Sequence, residues 1–308
     1  MKLAIVGLGL LMTLPMLGSA AEDAGAAKGS VSAPKASSSD EGELEELVNV
    51  GWQGIPLPTV RIPAVLPANP NVAAEASNPT APIAQLQWKS VYLPPVPDTS
   101  GPSYAQAFVG VLPLAPTRYT PLPQLIKLTL PVVTTTSPST PGTNLGDTTL
   151  LDLWVLPTSW GSLALGPGVV IPSYAPAPVS TSRWQLGLAA GVIYSGFEGW
   201  QMGFIAQNFW SVGGSTDPPV NQLGVSPTFT YTNKQGWFYG LTDFGWTFNW
   251  EKGGASTIPV GPQVGRVFRL WGQTMSLAAE VGWNVGSTGK SAPTPIYSLE
   301  LTLLFPER

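Results

Sequence analysis

Residues 275–285, MSLAAEVGWNV, alternate apolar with polar or small side chains without a break, and residues 297–305, YSLELTLLF, repeat the pattern. A period of two residues is typical of a β-strand with one apolar and one wet face. Each segment also has roughly the 9 to 11 residues with which a tilted strand crosses a bilayer. Because hydrocarbon offers no partner to an unpaired sheet edge, such strands must close into a barrel.

Similar segments recur from about residue 83 to the C-terminus. They predict strands near 83–93, 104–114, 122–133, 147–156, 162–171, 184–195, 199–211, 220–232, 237–250, 257–269, 274–285 and 296–305. The odd-to-even connections are long and the even-to-odd ones tend to be short, as in bacterial outer-membrane barrels. The predicted fold class is therefore all-β, an up-and-down antiparallel transmembrane β-barrel of about 12 strands, with a disordered N-terminal extension.

The N-terminal part predicts export. Residues 1–21 combine a basic start, an apolar run and small residues before residue 22, which is typical of a cleaved signal peptide. A membrane-anchoring helix is the alternative, but the run is shorter than about 20 residues and contains Pro15. Residues 22–82 are interpreted as a disordered periplasmic extension, first acidic and then rich in proline, and residues 83–308 as the barrel. The acidic segment 40–50 is either a docking segment or a solvated spacer.

Composition excludes several classes of function. The chain of 308 residues contains no Cys and no His, and only 10 % of its residues are charged. A disulfide framework, a thiolate metal site and the commonest general base are therefore excluded. With no nucleophile motif of the G-x-S-x-G kind either, we predict no enzyme, no cofactor and no metal. The net charge is −4, and nucleic-acid-binding proteins are usually basic, so we predict no nucleic-acid partner.

The polar faces of the predicted strands define a lumen. Its candidate lining residues are Gln85, Gln87, Lys89, Lys127, Asp152, Gln185, Gln201, Gln207, Asp243, Asn249, Glu280, Asn284 and Glu300. Two interpretations stay open: a narrow aqueous path with charged constrictions, or charges that pair across a filled lumen and make the barrel rigid.

Apolar residues complicate the predicted register. Six of them fall on the lumen face, namely Leu125, Leu150, Trp154, Ile205, Phe209 and Leu304. They either line a path for an apolar solute or mark a slip of register at a bulge.

On the ninth strand, Phe244, Trp246, Phe248 and Trp250 are predicted to face lipid, opposite Asp243. On the eleventh, Ala279 is predicted to face lipid and Ala278 the lumen.

Short strings in a fixed order resemble a known family. They are Asn78-Pro79, Leu145-Gly146-Asp147-Thr148, Gly166-Pro167, Ile171-Pro172-Ser173, Arg183-Trp184-Gln185-Leu186-Gly187, Phe209-Trp210-Ser211-Val212-Gly213-Gly214, Val220-Asn221, Tyr231-Thr232, Asn249-Trp250, Val264-Gly265-Arg266-Val267-Phe268-Arg269-Leu270 and Leu303-Leu304-Phe305-Pro306. In this order, over about three quarters of the chain, they resemble the bacterial outer-membrane barrel family labelled transporter or MetA-pathway of phenol degradation, some members of which are named neuromedin U. The acidic and Pro-rich extension departs from the family pattern.

The resemblance implies a channel in the outer membrane of a Gram-negative-type bacterium, with both termini in the periplasm. Its expected cargo is small solutes, with hydrophobic or aromatic compounds implied by the names of some members. Expected partners are outer-membrane lipid and, during biogenesis, the barrel assembly machinery. A non-conducting structural or adhesin-like barrel, suggested by the Pro, Ser and Thr loops, is the alternative.

Overall fold

The computed structural model describes residues 66–67, 72–73, 79–95, 102–136, 141–176, 179–214, 219–286 and 295–306. The predicted signal peptide and the acidic segment 40–50 lie outside the described residues. All described strands belong to one antiparallel sheet. Within the described ranges, no helix has the length and apolar character needed to cross a membrane.

Twelve strands form the wall of a closed barrel. They are β1 (Ala84–Leu93), β2 (Ser103–Leu114), β3 (Gln124–Thr135), β4 (Gly142–Leu145 and Thr148–Thr158), β5 (Gly161–Ile171), β6 (Arg183–Tyr194), β7 (Trp200–Gly214), β8 (Asn221–Thr232), β9 (Trp237–Leu241 and Trp246–Asn249), β10 (Ala255–Thr257, Pro259–Val260 and Pro262–Leu270), β11 (Gln273–Asn284) and β12 (Pro295–Phe305). Each strand pairs with its chain neighbours, and β12 pairs with β1. The prediction of an all-β, antiparallel barrel of 12 strands is confirmed.

The two ends of the barrel differ. At the terminal end, β1 begins and β12 ends, and hairpins such as residues 159–160 and 271–272 are tight. At the loop end, the connections are longer, as between β5 and β6, where residues 172–182 join the strands. One connection at the terminal end, residues 115–123, is longer than the tight turns that the sequence predicts at this end.

Strand β9 is interrupted where the sequence predicts continuity. Residues 242–245 lie between its two parts, and all four are buried. Four consecutive buried residues are incompatible with the alternating faces of a strand, so the chain bulges into the barrel here. The backbone N–H of Thr242 donates to the carbonyl of Gly261 at 2.8 Å, which keeps the bulge attached to β10.

The outer face is an apolar belt. Exposed side chains around it include Leu86, Phe108, Leu112, Leu165, Leu188, Phe204, Leu277 and Leu299. Ala279 is exposed on this face, whereas its neighbour Ala278 is buried. Exposed tryptophans cluster near strand ends, among them Trp184, Trp237 and Trp283. An apolar belt with aromatic residues near its edges is the surface that a bilayer requires of a barrel.

Candidate functional site

The inner wall changes character around the barrel. From β2 to β7 its buried side chains are mostly apolar, including Ala105, Ala107, Val109, Val111, Leu125, Leu151, Leu153, Val155, Val170, Ala189, Ile205 and Phe209. From β8 through β12 and into β1 they are mostly polar, including Ser226, Thr228, Thr230, Asp243, Thr247, Gln263, Ser276, Glu280, Ser298, Glu300, Thr302, Gln85, Gln87 and Lys89. The interior therefore has an apolar half and a polar half.

An ionic cluster lies mainly in the polar half, and one of its members, Lys127, lies on β3 of the apolar half. The ammonium of Lys89 contacts the Asp243 carboxylate and lies 3.1 Å from Glu280 Oε2 and 3.9 Å from Glu300 Oε2. Glu280 also accepts a hydrogen bond from the amide of Gln263. Lys89 and Glu300 are each only 1 % exposed, so one buried lysine lies among carboxylates from three different strands and offsets one of their three negative charges.

The bulge in β9 supplies two members of this site. It brings Asp243 to Lys89 and places the Phe244 ring centroid 5.0 Å from the Lys89 ammonium, within cation–π range. A Cβ at Gly282 would lie 2.9 Å from the Phe244 ring, so glycine at this position leaves room for the ring. The prediction that Phe244 faces lipid is wrong, because alternation fails at the bulge.

A second lysine adds charge without a direct hydrogen bond. The buried ammonium of Lys127 interacts electrostatically with Asp243 and Glu300, and it donates no hydrogen bond to any residue that the structure describes. Two lysines against three carboxylates leave the ionic cluster, defined as Lys89, Lys127, Asp243, Glu280 and Glu300, at a formal charge of −1.

The three carboxylates have the spacing of a cation site. One oxygen from each of Asp243, Glu280 and Glu300 lies within 4.8 Å of the others. The Lys89 ammonium already lies among these oxygens, so a metal ion would have to displace it. The arrangement therefore serves charge pairing and a charged constriction better than it serves a resident metal.

Ten of the thirteen predicted lumen residues are buried. They are Gln85, Gln87, Lys89, Lys127, Gln185, Gln201, Gln207, Asp243, Glu280 and Glu300. The structure brings Lys89 together with the three acids, while Gln185 donates to the Thr181 hydroxyl at 3.0 Å near the loop end. The amides of Gln85 and Gln87 make no hydrogen bond to a described residue.

Asp152 lies on the outer face, so its predicted lumen position is wrong. Its carboxylate accepts a hydrogen bond of 3.3 Å from Gln124, which also points outward. The inward residues of β4 are Leu151 and Leu153, each 1 % exposed. Because β4 belongs to the apolar half, both of its faces are largely apolar and alternation cannot distinguish them.

The same register error affects two apolar residues. Leu150 and Trp154 lie outward, not in the lumen as predicted. Leu125, Ile205, Phe209 and Leu304 are buried, as the predicted register requires.

Asn249 and Asn284 lie at the loop end, away from the ionic cluster along their strands. Asn249 is partly buried and accepts a hydrogen bond from the backbone N–H of Lys252, which caps a short 3₁₀ turn. Asn284 accepts from the backbone N–H groups of Ile258 and Gly286 at 2.7 and 3.0 Å. Both side chains accept backbone N–H groups where their strands end, which is a common role of asparagine next to turns.

Asp147 forms a clamp that strand periodicity could not reveal. It accepts from the Ser180 hydroxyl at 2.5 Å, from the Thr181 hydroxyl and N–H at 2.7 and 2.8 Å, and from the Ser173 N–H at 3.1 Å. The clamp holds the described residues of the connection 172–182 close to the wall, where Val179 joins the apolar cluster of the interior. The clamp therefore fixes the described residues of this connection against the apolar half at the loop end.

Parts of the predicted N-terminal extension contact the barrel at its terminal end. Ala73 and Ala81 belong to a buried apolar cluster that also contains Ile83, Phe238, Val267, Ala278 and Leu304. The Thr80 hydroxyl lies 2.5 Å from the Ser162 hydroxyl of β5. Leu66–Pro67 pairs with Arg269 and Phe268 of β10.

A closed antiparallel barrel with an apolar outer belt and a polar, charged half inside defines the class of outer-membrane-type β-barrels. No family model matches the chain, and no curated protein matches its sequence.

Solved structures provide the remaining comparison. An outer-membrane channel from Pseudomonas putida F1 is similar over 72 % of this chain and 96 % of that chain, with 15 % identity and a TM-score of 0.51. Two mutants of the porin of Rh. blastica align over 72 % of this chain and 100 % of theirs at 12 % identity, with TM-scores of 0.26 and 0.24. The chain shares the fold of the Pseudomonas putida channel.

Proposed function

We propose that this protein is an outer-membrane channel for small solutes. The observation that carries the proposal is the charged, hydrogen-bonding half of a closed barrel interior, centred on the ionic cluster. Gln85, Gln87 and Lys127 add buried donors that no described residue satisfies. Buried polar groups of this kind are normally satisfied by water or by a polar ligand, as expected along an aqueous path.

The apolar half of the interior favours solutes with a hydrophobic or aromatic part. A solute that passes the ionic cluster has carboxylates and amides on one side and side chains such as Leu153, Ile205 and Phe209 on the other. Such a passage fits an amphipathic molecule better than a sugar, which presents hydroxyl groups on most sides. This proposal agrees with the solute class that the resemblance to the MetA-pathway family implies.

Location and partners follow from the same proposal. We propose that outer-membrane lipid covers the apolar belt. We also propose that the barrel assembly machinery inserts the protein into the membrane. The termini are proposed to lie in the periplasm, because the longer connections are at the opposite end. We propose no catalytic role for a chain without His or Cys.

A non-conducting structural or adhesin-like barrel is the second candidate. It is favoured by the ion pairing itself, since Lys89 is 1 % exposed and contacts carboxylates from three strands. Such pairing across strands makes a barrel rigid, as in small barrels whose interior is filled by side chains.

Planar-bilayer recording of the refolded full chain separates the two candidates. We expect discrete openings of small conductance. Folding is checked by the change in gel mobility on boiling that a folded barrel shows. If such folded protein gives no current, the result would contradict the channel and favour the structural barrel.

Liposome swelling tests the solute class. Phenylalanine and glutamine are zwitterions of comparable size, and we expect phenylalanine to enter faster. Leu153→Ser places a hydroxyl on the apolar half and should reduce this preference. Equal rates for the two solutes would contradict the aromatic preference while leaving the channel intact.

A further inference from the structure

Three long polar side chains of the inner wall make no hydrogen bond to any residue that the structure describes. They are Gln85 and Gln87 of β1 and Lys127 of β3, and none of them is more than 4 % exposed. Together they present one ammonium and two amide groups to the interior. Because unpaired buried groups cost free energy, this part of the wall is suited to a polar molecule that pairs with all three.

The strand register places these side chains around one small patch. Gln85 pairs with Val111 of β2, and Lys127 pairs with the same valine from the other side. Gln87 pairs with Val109, the next inward residue of β2. Two strand spacings of about 4.8 Å put the backbones of Gln85 and Lys127 about 10 Å apart. Their polar ends can therefore approach one small group that lies over the two buried valines.

The charges near this patch favour a molecule that carries both signs. Lys127 interacts electrostatically with Asp243 and Glu300, and without Lys127 the ionic cluster is one lysine against three acids, a formal charge of −2. A solute with only a carboxylate would be repelled by these acids, and a solute with only an ammonium would leave Lys127 unpaired. A zwitterion offers a carboxylate to Lys127 and an ammonium to the acids, and it enters without net charge.

The wall beside Lys127 is apolar. Leu125 is the preceding inward residue of β3, and Leu151 of β4 pairs with Lys127. Both leucines are buried and belong to the apolar cluster of the interior. A solute whose carboxylate contacts Lys127 would therefore place its remaining carbon atoms against hydrocarbon, which favours an apolar side chain.

We propose that Gln85, Gln87 and Lys127 bind the carboxylate of a zwitterionic α-amino acid whose side chain is apolar. The acids of the ionic cluster bind its ammonium, and the leucines of β3 and β4 contact its side chain. The proposal rests on the proposed channel function and names the solute class that the channel takes.

Saturation-transfer NMR of the refolded full chain in detergent micelles tests binding without depending on current. Phenylalanine is the probe, and the signal from empty micelles is subtracted. The matched molecules are 3-phenylpropanoate, which lacks the ammonium, and phenethylamine, which lacks the carboxylate. We expect each of them to bind at least about tenfold more weakly than phenylalanine, because each loses charge-assisted hydrogen bonds.

Substitutions then locate the site on the wall. Lys127→Met removes the ammonium and keeps a side chain of similar length, so phenylalanine binding should weaken at least about tenfold. In this variant the advantage of phenylalanine over phenethylamine should largely disappear, which a merely structural role of Lys127 would not produce. Gln85→Leu with Gln87→Leu removes amide groups without changing charge and should also weaken binding. Lys234→Met removes a charge from an exposed position and is the control, with unchanged binding expected.

The outcomes separate the binding site from the channel, provided that each protein shows the gel shift of a folded barrel. Equal binding of phenylalanine and 3-phenylpropanoate, or phenylalanine binding that Lys127→Met leaves unchanged, would overturn the site. So would the absence of phenylalanine binding up to its solubility limit, and current from the same protein in planar bilayers would leave the channel standing. Phenylalanine binding that Lys127→Met abolishes, in protein that never conducts, would support the site and overturn the channel function.

Discussion

Replacing two acids of the ionic cluster should reverse the ion preference of the channel. The cluster holds Lys89 and Lys127 against Asp243, Glu280 and Glu300, a formal charge of −1. The double substitution Glu280→Gln with Glu300→Gln leaves two lysines against one acid, a charge of +1. Lys89 keeps its contact with Asp243, so the barrel should still fold.

The size of the effect follows from Coulomb's law. One unit charge acts on a monovalent ion about 5 Å away in water with about 0.8 kcal/mol, and screening at about 0.1 M salt reduces this to about 0.5 kcal/mol. That energy enriches one ion and depletes the other about twofold each. The native cluster should therefore prefer K⁺ over Cl⁻ about fivefold, and the double variant should prefer Cl⁻ by about the same factor.

The reversal potential under a KCl gradient measures this preference. We expect it to change sign between the native protein and the double variant, and the difference to grow at lower salt because screening weakens. Glu198→Gln with Glu251→Gln removes the same charge from exposed positions at the two ends of the barrel and serves as the control. An unchanged reversal potential in the cluster variant, or an equal shift in the control, would show that these acids do not line the path.

Three further predictions concern facing and packing. Ala279→Arg should destabilise the barrel by about 2–4 kcal/mol in refolding titrations, because Ala279 faces lipid. Val285→Arg at the strand end should cost only about 0–1 kcal/mol, and the opposite order would show that Ala279 does not face lipid. Asp147→Ala should speed proteolysis of the connection 172–182 without unfolding the barrel, and an unaltered cleavage rate would argue against the clamp. Phe244→Ala should cost about 3–5 kcal/mol and Phe248→Ala clearly less, whereas equal costs would mean that Phe244 is not inside.

Predicting the site from sequence succeeded where the two faces of a strand differ in polarity. On β11 and β12, Glu280 and Glu300 are the only charged residues, each on the face opposite an apolar one, and the structure places both in the interior. On β4, Leu151 and Trp154 are equally suitable for lipid and for the apolar half of the lumen. The pattern therefore carries no information about which face is inside, and Asp152 was predicted on the wrong side.

The strand β9 shows a second limit. A strict period of two placed Asp243 inside and Phe244 outside, but the bulge over residues 242–245 turns both inward. A bulge adds a residue to one strand in response to its partners, and those partners are residues of β8 and β10 that lie elsewhere in the sequence. The alternation of residues within β9 alone therefore does not reveal the bulge.

The sequence by itself determined the class of architecture. Strands that cross a membrane must alternate apolar and polar side chains and must close into a barrel, and short local segments of the sequence show the alternation from which the barrel follows. Only the tertiary structure decided which charges meet. Lys89 joins three acids from β9, β11 and β12, and the Thr80 hydroxyl meets the Ser162 hydroxyl of β5. Such contacts depend on barrel closure and strand stagger, which are set by the whole sheet at once and by no single strand.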